Sequence, residues 1–231
     1  ENATQASAHT ALDRVRQGFV TLRGGHRVGM CGTVARRDGQ IITLREISSL
    51  SIRVARCVEG PARPLLPELM EDGTFLSTLI LAPPGAGKTT LLRDFIRGLS
   101  DGDAGPPRRV GVVDERGEIA ALCQGEPQFY VGRHTDVMDG CSKAEGLSML
   151  IRGMNPQVAA VDEITDPADA AAIMSAAGCG VALVATAHGA GAGDLERRAS
   201  YRELLAARIF RRLVVLERRN GERTIRVEEM P

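Results

Sequence analysis

The chain has 231 residues, 43% hydrophobic and 25% charged, with 29 basic and 29 acidic side chains and a formal net charge of zero. That length holds one large domain or two small ones with a sizeable core. Balanced charge and few aromatics (five Phe, two Tyr, no Trp) argue against a base-stacking nucleic-acid surface. No apolar run approaches the roughly 18 residues of a membrane span.

Residues 6–17 have the spacing of a short helix. FVTLRGGHRVGMCG then alternates apolar positions between glycines. TVARRDGQIITL predicts a hairpin turning at Asp38-Gly39, and residues 51–56 alternate like a strand. Three prolines in EGPARPLLP predict a linker with a boundary near Pro61. Residues 1–60 therefore read as a small α+β N-terminal domain, 61–73 as linker and lead-in helix, and 74–231 as a second domain. A chain that begins ENATQ, without Met, leads us to expect further residues ahead of it.

Beyond the linker, strands and helices alternate. TLIL reads as a buried strand, and Leu91, Leu92, Phe95, Ile96 and Leu99 follow at helical spacing. VGVV is a second strand, and Ala144, Leu147, Ile151 and Met154 mark a helix. VAAV is a third strand, Ala168, Ala172, Ile173 and Ala176 a helical stripe, and VALVATA a fourth strand. This order predicts an α/β domain with a mostly parallel sheet. RLVVLERRNGERTIRVEEM predicts a C-terminal hairpin at Asn220-Gly221. The five cysteines (Cys31, Cys57, Cys123, Cys141, Cys179) form no CxxC pair and read as thiols in a reducing compartment. Only two of the 29 basic residues are lysines, Lys88 and Lys143. A lysine in a chain that otherwise writes arginine suggests a chemical need.

TLIL–APPGAGKTT–LLRDFI has the three parts of a phosphate-binding loop: a strand that stops, a glycine-rich turn, and a helix whose N-terminus faces the anion. Pro84, Gly85, Ala86, Gly87, Lys88, Thr89 and Thr90 are the candidate nucleotide-binding residues. Gly85 and Gly87 permit close backbone approach. Lys88 is expected to reach the β- and γ-phosphates, and Thr89 to offer its hydroxyl to Mg²⁺. Ala82 stands where the usual pattern begins with Gly.

VAAVDE ends a strand in Asp162 and Glu163. Strand C-termini of a parallel sheet line the ligand crevice, so Asp162 is a candidate Mg²⁺ ligand and Glu163 a candidate base for a water. The competing reading is an acidic pair capping the next helix. Asp114 and Glu115 repeat the pattern after VGVV, either as a second polarising pair or as a salt-bridge cluster with Arg116. His188 follows the fourth strand, either as a γ-phosphate sensor or as a structural histidine. No NKxD guanine-reading motif and no GxGxxG fingerprint is present, which argues against GTP specificity and a dinucleotide.

The order of phosphate loop, VVDERGEIA, VAAVDEITD and VATAHG resembles the Walker A, Asp, Walker B and His boxes of type II and type IV secretion ATPases. With GFVTLRGGHRVGMCG, ISSLSIRVAR, LAPPGAGKTTLLRD and VGRHTDVMDGCSKAEG, the chain is closer still to the stage III sporulation protein AA family. That resemblance implies a RecA-like P-loop NTPase domain, ATP and Mg²⁺ as cofactors, and homo-oligomeric rings, hexamers in that family's pattern. It implies a mother-cell cytoplasmic location, peripheral to the membrane, with membrane-associated sporulation channel proteins as partners. Thr165-Asp166 depart from the Gly-plus-basic pair expected after VDEI. In a ring, an arginine from a neighbour can complete the site; Arg53, Arg56 and Arg152 are the candidates, each equally readable as surface charge. The cluster Arg197, Arg198, Arg202, Arg208, Arg211 and Arg212 reads as a solvated helix face, or as a surface for a partner or anionic lipid.

The expected function is thus an ATP-hydrolysing motor energising assembly of, or transport through, the mother cell–forespore channel, with Glu163, Glu115, His188 and an arginine as catalytic residues. Two alternatives stay open. One is a nucleotide-gated ring scaffold with little turnover. The other is a nucleic-acid-dependent ATPase, though no nucleic-acid partner is expected.

Overall fold

The computed structural model describes Val15 and residues 18–56, 59–189, 191–219 and 222–230. The helix expected over residues 6–17, apart from Val15, lies outside these residues. So do Cys57 and the Asn220-Gly221 turn. The chain divides into two units, Glu1–Cys57 with Ala120–Phe129, and Val58–Ile119 with Tyr130–Pro231.

The first unit is built on an antiparallel sheet, β1 (Phe19–Thr21), β2 (Arg27–Arg37) and β3 (Gln40–Arg53), in that spatial order. Asp38 and Gly39 take φ of 51° and 78°, which closes the expected hairpin with Arg37 opposite Gln40. The two alternating segments read separately from sequence are one 14-residue strand, β3. Its register with β2 shifts between Cys31 and Thr33. Gly32 sits at that irregularity, where a Cβ would lie 2.6 Å from the Arg45 carbonyl oxygen.

The second unit opens with a 3₁₀ turn (Leu66–Leu69) and a short ladder of β4 (Met70–Glu71) and β5 (Thr74–Phe75). Its core is a seven-stranded sheet. The strands are β6 (Thr78–Ala82), β7 (Val110–Val113), β8 (Thr135–Met138), β9 (Val158–Val161), β10 (Ala182–His188), β11 (Arg212–Arg219) and β12 (Glu222–Glu229). The order is β12-β11-β6-β10-β9-β7-β8. All pairs are parallel except β11–β12. The α/β fold with a C-terminal antiparallel hairpin is thus the one the strand pattern predicts. β8, with TDVM half-buried at the sheet edge, carries too little apolar signal to be read from sequence.

Helices cover both faces, and the pleat decides which residues meet them. Leu79, Leu81, Val113, Ala159, Val161, Leu183 and Ala185 face a core completed by Leu147, Leu150, Ile173, Ala176, Tyr201 and Leu204. These come from α2 (Lys143–Met154), α3 (Pro167–Gly178) and α5 (Ala199–Ala206); the short α4 (Ala192–Glu196) adds Leu195. α1 (Lys88–Asp101) buries Leu91, Leu92, Phe95, Ile96 and Leu99, as its spacing predicts, and packs on β6, β7, β8 and β10. Each such side chain contributes about 1.5–3 kcal/mol through burial.

Two helical stripes differ from the sequence reading. α2 buries Lys143, Gly146, Leu147 and Leu150, leaving Met154 44% exposed. α3 buries Asp169 and Ala170 and exposes Ala168. In both, the N-terminus is capped and packing into the shared core selects the buried face. Ser142 with Glu145, and Asp166 with Asp169, form capping boxes.

Candidate active site

Four adjacent parallel strands, β6, β10, β9 and β7, end at one edge and carry most of the candidate residues. β10 lies between β6 and β9, with His188 opposite Ala82 and Ala185 opposite Val161. The loop after β6 holds Gly85 at φ 75° and Gly87 at φ 102°, in the left-handed region that favours glycine. Gly87 caps α1 with no side chain, so the first helical turn presents N–H groups from Lys88 onward. Pro84 and Gly85 are exposed, Ala86 and Lys88 buried, and Gly87, Thr89 and Thr90 half-buried.

Lys88 Nζ lies 2.5 Å from His188 Nδ1 and 3.1 Å from its Nε2. His188 Nε2 lies 3.0 Å from Glu163 Oε2. An ammonium has donors only, so Nδ1 accepts, and the remaining ring proton on Nε2 donates to Glu163. Burial pushes the Lys88 ammonium pKa down. The carboxylates of Glu163 and Asp162 oppose that shift, Arg198 adds to it, and Glu118 opposes it. Asp162 Oδ1 accepts from Thr186 Oγ1 at 2.8 Å, which fixes one oxygen and leaves the other for a ligand. Arg116 Nη1 approaches Glu163 at 4.0 Å. Tyr201, fully buried, donates to the Ile164 carbonyl at 2.8 Å and so anchors the segment just after Glu163. Burial raises its phenol pKa, with Arg198 opposing that shift.

The pair after β7 splits into two roles. Asp114 is 1% exposed, and its Oδ1 accepts from the Glu118 and Ile119 N–H groups at 2.8 and 3.0 Å. Arg93, buried on α1, donates to the carbonyls of Ile119 and Glu118 at 2.6 and 2.7 Å. Asp114 thus braces the turn after β7 through Oδ1, which both backbone donors share. Asp114→Ala is expected to cost about 1–3 kcal/mol, the cost of leaving the buried Ile119 N–H unpaired. A urea unfolding midpoint equal to wild type would contradict this. Glu115, by contrast, is 38% exposed at its side chain and pairs with Lys143 Nζ at 2.5 Å.

Two of the three arginine candidates belong to the first unit and one to the second. Arg53 ends β3 and Arg56 follows it, both exposed in the first unit, with Arg53 directly opposite Arg27. Arg152 is exposed in the last turn of α2, at the opposite end from Lys143. Sequence reasoning missed Asp169 and the placement of Arg198 near Lys88. The DPAD run at a helix start was the available signal for the first; nothing local signals the second. Among the described residues, no group of three or more His, Cys, Asp or Glu side chains is arranged to hold a metal ion. Thr89 and Asp162 are the oxygen donors on hand, a sparse set that suits Mg²⁺, which takes one or two protein ligands plus phosphate oxygens. Cys31, Cys123, Cys141 and Cys179 are free. No helix among the described residues is long and apolar enough to cross a membrane.

A family pattern described as "Sporulation stage III, protein AA" matches residues 3–228. The chain belongs to that family. "Stage III sporulation protein AA" of Bacillus subtilis (strain 168) is 45% identical over 220 residues, which is 95% of this chain and 71% of that protein. Solved structures share the fold at low identity. The Legionella pneumophila ATPase DotB aligns with TM-score 0.57 and 17% identity, over 88% of this chain and 56% of its own. The pilus retraction motor PilT with bound ADP aligns with TM-score 0.59 and 17% identity, over 96% and 66%. The chain thus spans about half to two thirds of those two proteins. These likenesses establish that this member of the sporulation family shares the α/β fold of those two solved structures.

Proposed function

We propose that this protein is an Mg²⁺-dependent ATPase that assembles as a hexameric ring and drives assembly of, or transport through, the mother cell–forespore channel. The observation that carries the reading is the chain Lys88–His188–Glu163, which links the phosphate loop to the carboxylate beside Asp162 through 2.5 and 3.0 Å contacts. A general base has to stand within reach of the phosphate site, and this chain sets that relation. Membership of a sporulation family supports the biological setting. The names of the fold neighbours, an ATPase and a retraction motor, support the motor.

In this reading the amides of residues 85–90 and Lys88 bind the phosphates. Thr89 and Asp162 would hold Mg²⁺. Mg·ATP, when bound, would supply the γ-phosphoryl group for transfer to water, with ADP as the leaving group. Glu163 takes the proton of that water, and His188 holds Glu163 in place by its Nε2–H. Glu115 orients from the neighbouring strand end. Arg53, Arg56 or Arg152 of an adjacent copy completes the site. Residues 74–231 carry the ATPase function, and residues 1–60 form a separate N-terminal module. The protein works in the mother-cell cytoplasm, peripheral to the membrane through protein partners and without nucleic acid.

The test is steady-state phosphate release by the purified chain, with mass measured with and without Mg·ATP. Expected are Mg²⁺-dependent release abolished by chelator and a higher-order species with nucleotide. A ring that forms with no Mg²⁺-dependent release is a scaffold and overturns the motor. Release that requires added DNA or RNA and falls steeply with salt overturns it in favour of a nucleic-acid ATPase.

A further inference from the structure

Lys143 stands where stability alone would not put it. It is the first residue of α2, where the helix dipole disfavours a cation. Its side chain is 4% exposed, and burying an ammonium costs several kcal/mol before any partner is counted. It is also one of only two lysines in the chain, and the other is Lys88.

Its partners explain the position. Lys143 Nζ meets Glu115 Oε2 at 2.5 Å and Asp169 Oδ2 at 3.6 Å. Asp169 Oδ2 accepts the N–H groups of Thr165 and Asp166 at 3.1 and 3.2 Å, which follow Glu163 and Ile164 directly. The ammonium therefore ties the loop carrying Glu115 to the loop carrying Glu163, at the ends of the adjacent strands β7 and β9. Close packing holds the strut in place. A Cβ at Gly146, one turn along α2, would lie 2.6 Å from Val113 Cγ1 at the end of β7. The Ser142–Glu145 capping box fixes where α2 starts.

We propose that Lys143 is a positioning residue for ATP turnover: it holds Glu115 and the post-Glu163 loop in the geometry that the chemical step requires, without touching nucleotide. This rests on the ATPase reading above. A compact ammonium reaches two carboxylates from a small buried site, whereas a guanidinium is bulkier and fixes its donors in a planar fork.

The experiment compares phosphate release, nucleotide KM and thermal unfolding for wild type, Lys143→Met, Lys143→Arg, Glu115→Gln and the Lys143→Met/Glu115→Gln pair. Lys143→Met is expected to lower kcat at least tenfold with KM changed less than threefold. Lys143→Arg is expected to unfold near the wild-type temperature yet recover less than a third of kcat, an outcome that charge or folding alone does not give. The double variant is expected to fall within threefold of the slower single, because both remove one linkage. A Lys143→Met kcat within twofold of wild type overturns the proposal, and so do losses that multiply in the pair. If Lys143→Met does not fold, full kcat in both Lys143→Arg and Glu115→Gln overturns it. A wild type that releases no phosphate removes the ATPase reading and this inference together. A wild type that turns over beside an unimpaired Lys143→Met removes the inference alone.

Discussion

Glu163→Gln is expected to reduce steady-state phosphate release by about 10²–10⁴-fold, the usual contribution of a positioned general base, while nucleotide binding survives. The substitution keeps volume and shape. Its amide oxygen can still accept from His188 Nε2, which stands 3.0 Å from the carboxylate in the wild type. What it removes is the ability to take a proton. The phosphate loop, Lys88 and the Asp162–Thr186 pair are untouched, so affinity for a fluorescent ATP analogue is expected within about threefold of wild type. Phosphate release paired with that titration gives the check. Turnover within threefold of wild type would remove Glu163 as base, and the role would then pass to Glu115 across the β9–β7 boundary.

Lys88→Ala is expected to weaken nucleotide binding by about 10–100-fold, because a hydrogen bond between charged groups contributes about 1.5–3 kcal/mol. Lys88→Arg is not expected to rescue it, since the buried site between His188 and the loop suits a compact head group. Burial lowers the Lys88 pKa below 10.5, and incoming phosphates supply negative charge that raises it again. Binding is therefore expected to take up protons at alkaline pH, and affinity to fall as pH rises through the lowered value. Calorimetry in buffers of different ionisation enthalpy measures that uptake. Zero uptake in wild type, or uptake retained in Lys88→Ala, would exclude Lys88 as the source. The sign for folding is opposite to that of a salt-bridged lysine. Between the lowered value and 10.5 the unfolded chain holds more protons, so this group's contribution to stability grows with pH across that interval.

The legible features were those set by neighbours in the chain. TLIL, VGVV and VAAV are short apolar runs, and such runs become strands buried on both faces of a parallel sheet. Asp38-Gly39 needs only its own backbone preference to turn a hairpin. APPGAGKTT announces its loop because glycine is required at residues with φ of 75° and 102°. The helical faces of α2 and α3 were less legible. A helix rich in small residues offers several stripes, and packing against the sheet and neighbouring helices selected one. Lysine scarcity flagged Lys143, but its partners Glu115 and Asp169 lie 28 and 26 residues away, and no local pattern joins them.

By itself the sequence determined most of the elements, β8 and the β4–β5 ladder excepted, the glycine-rich loop after β6, and an acidic or imidazole group at the end of each of three strands. Which of those groups meet was a matter of strand order alone. Inserting β10 between β6 and β9 brings His188 between Lys88 and Glu163, and pairing β7 with β9 sets Glu115 beside them. The pleat then turned Asp114 into the protein, onto the N–H groups of its own loop, and left Glu115 for the buried ammonium of Lys143. Adjacent residues at a strand end point to opposite faces. Identical chemistry in the sequence, an Asp or a Glu after an apolar strand, therefore became structure in one case and a candidate site in the other.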